Sequence, residues 1–339
     1  MSQVNVLMLG GRRAGKTCLA ASMMRDLQYL EVETNVECLL INGYDTWFEE
    51  KIKELSYCFE DPWFHDKNVF EMYYSNCGQM VETWEYELHH LKLHKNIGTL
   101  KIADIDGTVL GIGTAFLDGF LDDNMETLEQ TQVFLIAIDT PHLMEDADPA
   151  TGIGRSHQWF NRAEEVTRVI KLALERKQKK SLVIFAPVKC EKYYYAGRME
   201  KVNRAVHAGY RELLEYLTCG PAKDWCTTAI TPVLTIGGVS FLYFRDGDSR
   251  GTGLYHFRLG SERMYSPRYC EQPILLILLR LLDETEAEIR ALNPFAKVWK
   301  KLDKRHLTLD EIQICRREIQ KLVDFDREQG FELVCCPGM

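Results

Sequence analysis

Residues 10–17 read Gly10-Gly11-Arg12-Arg13-Ala14-Gly15-Lys16-Thr17, which is G-x-x-x-x-G-K-T. That spacing belongs to a phosphate-binding loop. A Gly-rich turn lets successive backbone N–H groups converge on phosphate oxygens, and the Lys16 ammonium adds a point charge at the β and γ phosphates. All eight residues are expected to line the phosphates. The Thr17 hydroxyl suits Mg2+, so Mg2+ is the expected cofactor.

A second group follows at the end of an apolar run: Asp104-Ile105-Asp106-Gly107. An Asp at a strand's C-terminal end, downstream of such a loop, can hold Mg2+ through water, and the Gly107 N–H can meet the γ phosphate. A third group is Val188-Lys189-Cys190-Glu191. This group resembles the N/T-K-x-D guanine-specificity motif, which implies a Lys stem along the base face and a carboxylate that accepts from the N1–H and the 2-amine of guanine, two donors that adenine lacks. A surface K-x-E pair is the plainer alternative.

These elements, in this order, resemble the translation-factor and Ras-like class of P-loop GTPases over roughly residues 3–283. The nearer likeness is to divergent bacterial double-GTPase-type domains of conflict or signalling operons, which carry a K-C-E-K-Y type motif, here Lys189-Cys190-Glu191-Lys192-Tyr193. The resemblance implies base contacts from Lys189 and Glu191, and from Ile236 in the Thr235-Ile236-Gly237-Gly238 stretch that stands where the family places its last base loop. It implies metal ligation by Thr17, Asp104 and a switch threonine, for which Thr83 is the candidate. The chain departs from the pattern at Val188, where Asn or Thr is expected, and at Glu191, where Asp is expected. No Gln follows Gly107; Thr108 and Val109 stand there. Arg12 and Asp106 are therefore the candidate catalytic residues, and slow hydrolysis is expected. An ATPase or small kinase, and a pseudo-GTPase acting as a nucleotide-dependent interaction module, are the alternative functions.

The elements that must position these groups alternate, which predicts an α/β P-loop NTPase fold. Its sheet should be mainly parallel, with one antiparallel strand, flanking helices and a helical C-terminal appendage. Strands are expected at 4–9, 36–41, 84–93, 99–103, 132–138, 181–187 and 229–234, with a hairpin turn at Asn96-Ile97-Gly98. Helices are expected from the loop to about residue 30, and at 45–59, 161–179, 202–219 and 272–282. Thr46-x-x-Glu49 and Thr308-x-x-Glu311 read as capping boxes, the second opening a helix with Ile312, Cys315, Ile319, Leu322 and Val323 inward. A peripheral hairpin is expected at 240–244 and 255–258 around a polar turn at 246–253. The domain reading is residues 1–283, with an aromatic-rich insertion at about 31–82, then an appendage at 284–339.

With 46% hydrophobic and 27% charged residues, the chain has the composition of a soluble globular protein. A net charge of −9 disfavours a nucleic-acid scaffold, and the basic runs at 176–180 and 300–305 read as solvated helix faces. Eleven cysteines without a C-x-x-C pair fit a reduced, cytoplasmic compartment. The first strand begins near residue 4, which argues against a signal peptide. The run at 274–282 is too short to span a bilayer, so no stable membrane insertion is expected. Pro337 and Gly338 argue against prenylation of Cys336. His89, His90 and His94 read as exposed strand histidines rather than a metal site. The expected partners are GTP or GDP and an unidentified protein.

Overall fold

Val4, Val6, Leu7, Met8 and Leu9 are all buried, so the first strand is covered on both faces and sits at the centre of a sheet. The computed structural model describes residues 2–42, 47–61, 70–71, 81–244, 255–260, 264–292, 307–325 and 330–337. The elements run β1 (Gln3–Leu9), α1 (Lys16–Thr34), β2 (Val36–Asn42), α2 (Trp47–Glu60), β3 (Phe70–Glu71), β4 (Val81–His90) and β5 (Lys95–Ile105). Then follow α3 (Thr114–Asp123), α4 (Met125–Gln130), β6 (Val133–Asp139), α5 (Thr140–Met144), α6 (His157–Asn161), α7 (Ala163–Lys177) and β7 (Ser181–Val188). Beyond them lie α8 (Glu191–Tyr195), α9 (Met199–Gly209), α10 (Arg211–Thr218), β8 (Cys226–Ile230), β9 (Val239–Phe244) and β10 (Tyr255–Leu259). The chain closes with α11 (Glu271–Ala291), α12 (Leu309–Phe325) and β11 (Glu332–Cys335).

The main sheet has eight strands in the order β11-β8-β7-β6-β1-β5-β4-β2. Strands β5, β1, β6, β7 and β8 are parallel neighbours. Strand β4 runs against β5, which is the antiparallel strand expected beside the D-x-x-G segment. At the far edge β11 also pairs antiparallel, with β8. A small antiparallel sheet, β3-β10-β9, lies apart from the main one. The α/β, mainly parallel architecture with flanking helices is as the sequence predicts.

Alternation along β1 splits the core. Val4, Val6 and Met8 join the face covered by α1, α11 and α12, while Leu7 and Leu9 join the face covered by α3, α4, α7, α9 and α10. A third apolar cluster sets Leu55 and Phe59 of α2 and Phe241, Tyr255 and Phe257 of the small sheet against Ala21 of α1.

Several boundaries differ from expectation. Asn96-Ile97-Gly98 is not the hairpin turn; it lies inside β5, and the turn falls at residues 91–94, where His94 takes φ 50°. Gly98 serves close approach instead. A Cβ there would stand 2.7 Å from the Ser2 carbonyl oxygen, which accepts from the Thr99 N–H at 2.8 Å. His90 is buried, because it continues the inward series Trp84, Tyr86, Leu88 on β4. Its Nδ1 accepts from the Leu93 N–H at 3.3 Å. No group of three or more His, Cys, Asp or Glu among the described residues could hold a metal.

The helix expected at 161–179 is broken at Arg162, which adopts φ 53°. The one expected at 202–219 is interrupted at Tyr210. Strand β8 begins and ends earlier than expected. The Thr46 capping box and the turn at 246–253 lie outside the described residues.

Helix α11 continues without a break past residue 283. Helix α12 packs Ile312, Cys315, Ile319 and Val323 into the α1/α11 face. Its capping box forms: Thr308 N–H donates to Glu311 Oε2 at 2.7 Å, and Glu311 N–H to Thr308 Oγ1 at 3.4 Å. Among the described residues no helix is long and apolar enough to cross a membrane.

Candidate functional site

Parallel pairing places the ends of β1, β5, β6 and β7 together. Met8 lies beside Asp104, and Leu9 beside Ile136. The loop after β1 therefore opens at the C-terminal edge of the sheet, where ligands bind in open α/β folds. Gly15, with φ 109°, is the N-cap of α1, so the helix N-terminus faces the loop. Gly107 packs directly on this loop. A Cβ there would stand 2.3 Å from the Arg12 nitrogen and 2.3 Å from the Gly11 carbonyl carbon. The two phosphate elements read from the sequence are thus in backbone contact.

Lys16 is buried, with Nζ donating to the Gly10 carbonyl at 3.2 Å and 3.8 Å from Asp104 Oδ1. Asp104 is buried too, and its Oδ1 has no hydrogen-bond partner. Burial pushes its carboxyl up to about 6, against the pull of Lys16 and of a hydrogen bond with Thr17. A buried carboxylate oxygen that accepts no hydrogen bond, beside a threonine hydroxyl, is the hard-oxygen donor set that Mg2+ takes, so Thr17 and Asp104 fit that ion.

The other expected members divide. Asp106 turns its Oδ1 onto the Thr108 N–H at 2.8 Å and shapes the turn. Arg12 and Arg13 are exposed. Thr83 is exposed within β4 and paired with Ala103, whereas Glu82 pairs with Asp104. Cross-strand partners share a face, so Thr83 lies on the sheet face opposite Asp104.

At the end of β7, Lys189 takes φ 58°. Its Nζ donates to the Arg13 carbonyl at 2.9 Å and to Asp139 Oδ2 at 2.5 Å, and sits 4.0 Å from the Tyr255 ring centre. Glu191 is buried, and its Oε1 accepts from the N–H groups of Ile236 at 3.1 Å and Gly237 at 3.2 Å. Burial raises its pKa, and these backbone donors work against that. Lys189, Glu191 and Ile236 are therefore brought together, with Lys189 reaching the phosphate loop.

Sequence reasoning missed the layer behind them. In the sequence Asp139 reads equally as a strand-end residue near the ligand edge of the sheet and as the start of a D-T-P turn; it does cap α5, its Oδ1 accepting from the His142 N–H at 3.2 Å. Asn161 holds its backbone from both sides, accepting from the Asp139 N–H at 2.7 Å and donating to its carbonyl at 3.1 Å. His157 Nδ1 accepts from Asn161 at 3.0 Å, so its Nε2–H faces the Gly209 carbonyl at 3.4 Å. The His142 ring stacks between Phe160 at 3.7 Å and Phe244 at 4.3 Å. The only signal in the sequence was Asp139 at a strand end; a distant hairpin supplies Tyr255.

Burial holds His142 and His157 neutral, lowering each from 6.5 to about 4. The stability this neutrality contributes is fully present above the unfolded value near 6.5. It is lost as pH falls toward 4, because the unfolded chain protonates first. Between pH 7 and pH 5 the stability margin of the wild type over His157→Gln is expected to shrink by about 2 kcal/mol. Urea unfolding at both pH values measures it. A constant margin would mean that folding leaves the His157 pKa unshifted.

No protein-family model matches the chain, and no curated protein matches its sequence. Among solved structures it is similar to the S. cerevisiae Ski7 GTPase-like domain bound to GTP, with TM-score 0.34 and 15% identity over 69% of this chain. The same domain bound to GDP and inorganic phosphate gives TM-score 0.33 at 15% identity over the same share. The match spans 43% of the Ski7 chain in each case. Methanosarcina barkeri Roco2 RocCORdC bound to GDP gives TM-score 0.28 at 11% identity, over 97% of this chain and 68% of that one.

Proposed function

We propose that this chain is a GTP-binding switch protein with slow, Mg2+-dependent GTP hydrolysis. One observation carries the reading: the Glu191 carboxylate meets the Ile236 and Gly237 N–H groups beside a lysine that touches the phosphate loop. An acceptor carboxylate next to backbone donors complements the edge of guanine, which offers two N–H groups and one carbonyl. In the free protein the two halves satisfy each other; a bound base takes the place of each partner. An ATP reading leaves Glu191 with fewer base donors to accept.

The phosphate loop N–H groups and Lys16 hold the β and γ phosphates, with the Gly107 N–H at the γ phosphate. Thr17 and Asp104 hold Mg2+, which when bound neutralises charge on those phosphates. Thr83, on the opposite face, is left out of this ligand set. Arg12, exposed on the loop, is assigned to the γ phosphate, while Asp106 keeps the D-x-x-G turn in shape. We assign residues 1–283 to the nucleotide domain and residues 284–339 to an appendage; of its described residues, those up to 291 continue α11, α12 packs on the α1/α11 face, and β11 extends the main sheet beside β8. A switch of this kind signals to a protein partner.

No amide follows Gly107 to orient water, so single-turnover hydrolysis should run near about 10⁻⁴ to 10⁻² s⁻¹, the range of related enzymes without an activator. Arg12→Ala should slow it further. Fast turnover that Arg12→Ala leaves unchanged would overturn the assignment of Arg12. GTP bound but never cleaved would favour the second reading, a nucleotide-dependent interaction module. The engagement of Asp106 in its own turn supports that reading.

A further inference from the structure

Val188 offers no hydrogen bond to the loop beside it, yet Lys189 is held in a left-handed backbone conformation with its ammonium at a defined point. That ammonium has three N–H donors. One goes to the Arg13 carbonyl and another to Asp139 Oδ2, and the charge lies over the Tyr255 ring. Asp139 is only 1% exposed. Its backbone is pinned by Asn161, its Oδ1 by the His142 N–H, and its Oδ2 also accepts from the Tyr255 hydroxyl at 2.6 Å. Burial alone would raise its pKa, but Lys189, His142 and Tyr255 together hold it below the usual carboxylate value. A buried ion pair of this sort is weak evidence for stability; its best-attested use is to set one geometry over others.

We infer that Asp139, buttressed by Tyr255, is the positioning residue for Lys189: it holds the ammonium against the phosphate loop so that the lysine stem is set to take a purine base. The role of Lys189 toward the base rests on the function proposed above; the positioning itself does not. Strand β6 supplies the carboxylate, the turn after β7 the lysine, β10 the tyrosine and the loop after β1 the Arg13 carbonyl, so four separate parts of the chain meet at one ammonium. Asp139 touches no phosphate and acts through Lys189.

The test uses the full-length chain and two readouts. The first is acylation of the nucleotide-free protein by an amine-reactive ester, read per lysine by mass spectrometry. Lys189 should be protected in the wild type and at least about tenfold more reactive in Asp139→Asn, since a charge-assisted hydrogen bond is lost. The second compares GDP with inorganic tripolyphosphate, which has no base. Asp139→Asn should weaken GDP about 10- to 100-fold and leave tripolyphosphate within about twofold. Tyr255→Phe, which keeps the ring and loses one hydroxyl, should show a smaller change in the same direction. Unchanged Lys189 reactivity in both variants would overturn the positioning role, as would an equal loss of GDP and tripolyphosphate binding. Wild-type protein that binds ATP as tightly as GTP would remove the guanine reading, and the acylation result would still decide the role of Asp139.

Discussion

Lys16→Ala is expected to reduce GTP affinity by at least about 100-fold, the scale set by losing charge-assisted hydrogen bonds to phosphate. Lys16 is buried against Asp104 and the Gly10 carbonyl, so its charge is screened little by water. Removing it takes away the cation facing the β and γ phosphates. It also leaves Asp104 buried without its counter-charge. Burial already raises that carboxyl to about 6, and losing Lys16 raises it further. The variant should therefore bind Mg2+ poorly as well. Lys16→Met keeps most of the volume and serves as the packing control. Titration with a fluorescent guanine nucleotide, with and without chelator, reads both effects. Affinity indifferent to both substitutions and to chelator would mean that the loop binds no nucleotide.

Glu191→Gln should collapse nucleotide discrimination. The amide oxygen can still accept from Ile236 and Gly237, so the loop at 235–237 keeps its anchor. The negative charge that would receive two guanine N–H groups is gone, and one of its oxygens becomes a donor facing them. Each hydrogen bond to a charged group is worth about 1.5–3 kcal/mol, so GTP affinity should fall about 100-fold or more while ATP affinity stays the same. Glu191→Ala should lose the loop anchor too and lower the unfolding midpoint. Competition of GTP and ATP for the fluorescent nucleotide measures the ratio. Equal displacement by both in the wild type would remove Glu191 from base recognition.

The strand–loop–helix at 4–34, to which the phosphate reading attaches, was legible because it is local. Eight consecutive residues carry the loop, and the strand before it and helix after it follow from apolar runs at either end. The D-x-x-G turn was legible for the same reason. The base side was legible only as residue types at strand ends. Glu191 meets Ile236 across 45 residues of chain, and nothing in either segment announces the other. Thr83 shows the limit of strand reading. Starting β4 at residue 81 rather than 84 leaves the threonine inside the strand, and period-two alternation then carries it to the face away from Asp104. Gly98 shows another limit. A glycine after Asn96 reads as a turn, but here it clears space for the Ser2 backbone and Leu281.

By itself the sequence determined the α/β class, the strand, Gly-rich loop and helix around residues 10–17, the capping box at Thr308 and the apolar faces of α11 and α12. These depend on periodicity and on hydrogen bonds between residues a few positions apart. Tertiary structure alone decided which polar groups face one another at the sheet edge. Asp139 and Tyr255 are 116 residues apart, and Lys189 lies 176 residues from the carbonyl it binds. A buried charge has to find its partner wherever the packing of strands delivers one, because leaving it unpaired costs more than any local preference can offset. The order of strands in the sheet, which joins distant segments edge to edge, therefore sets the chemistry of this site as much as the motifs do.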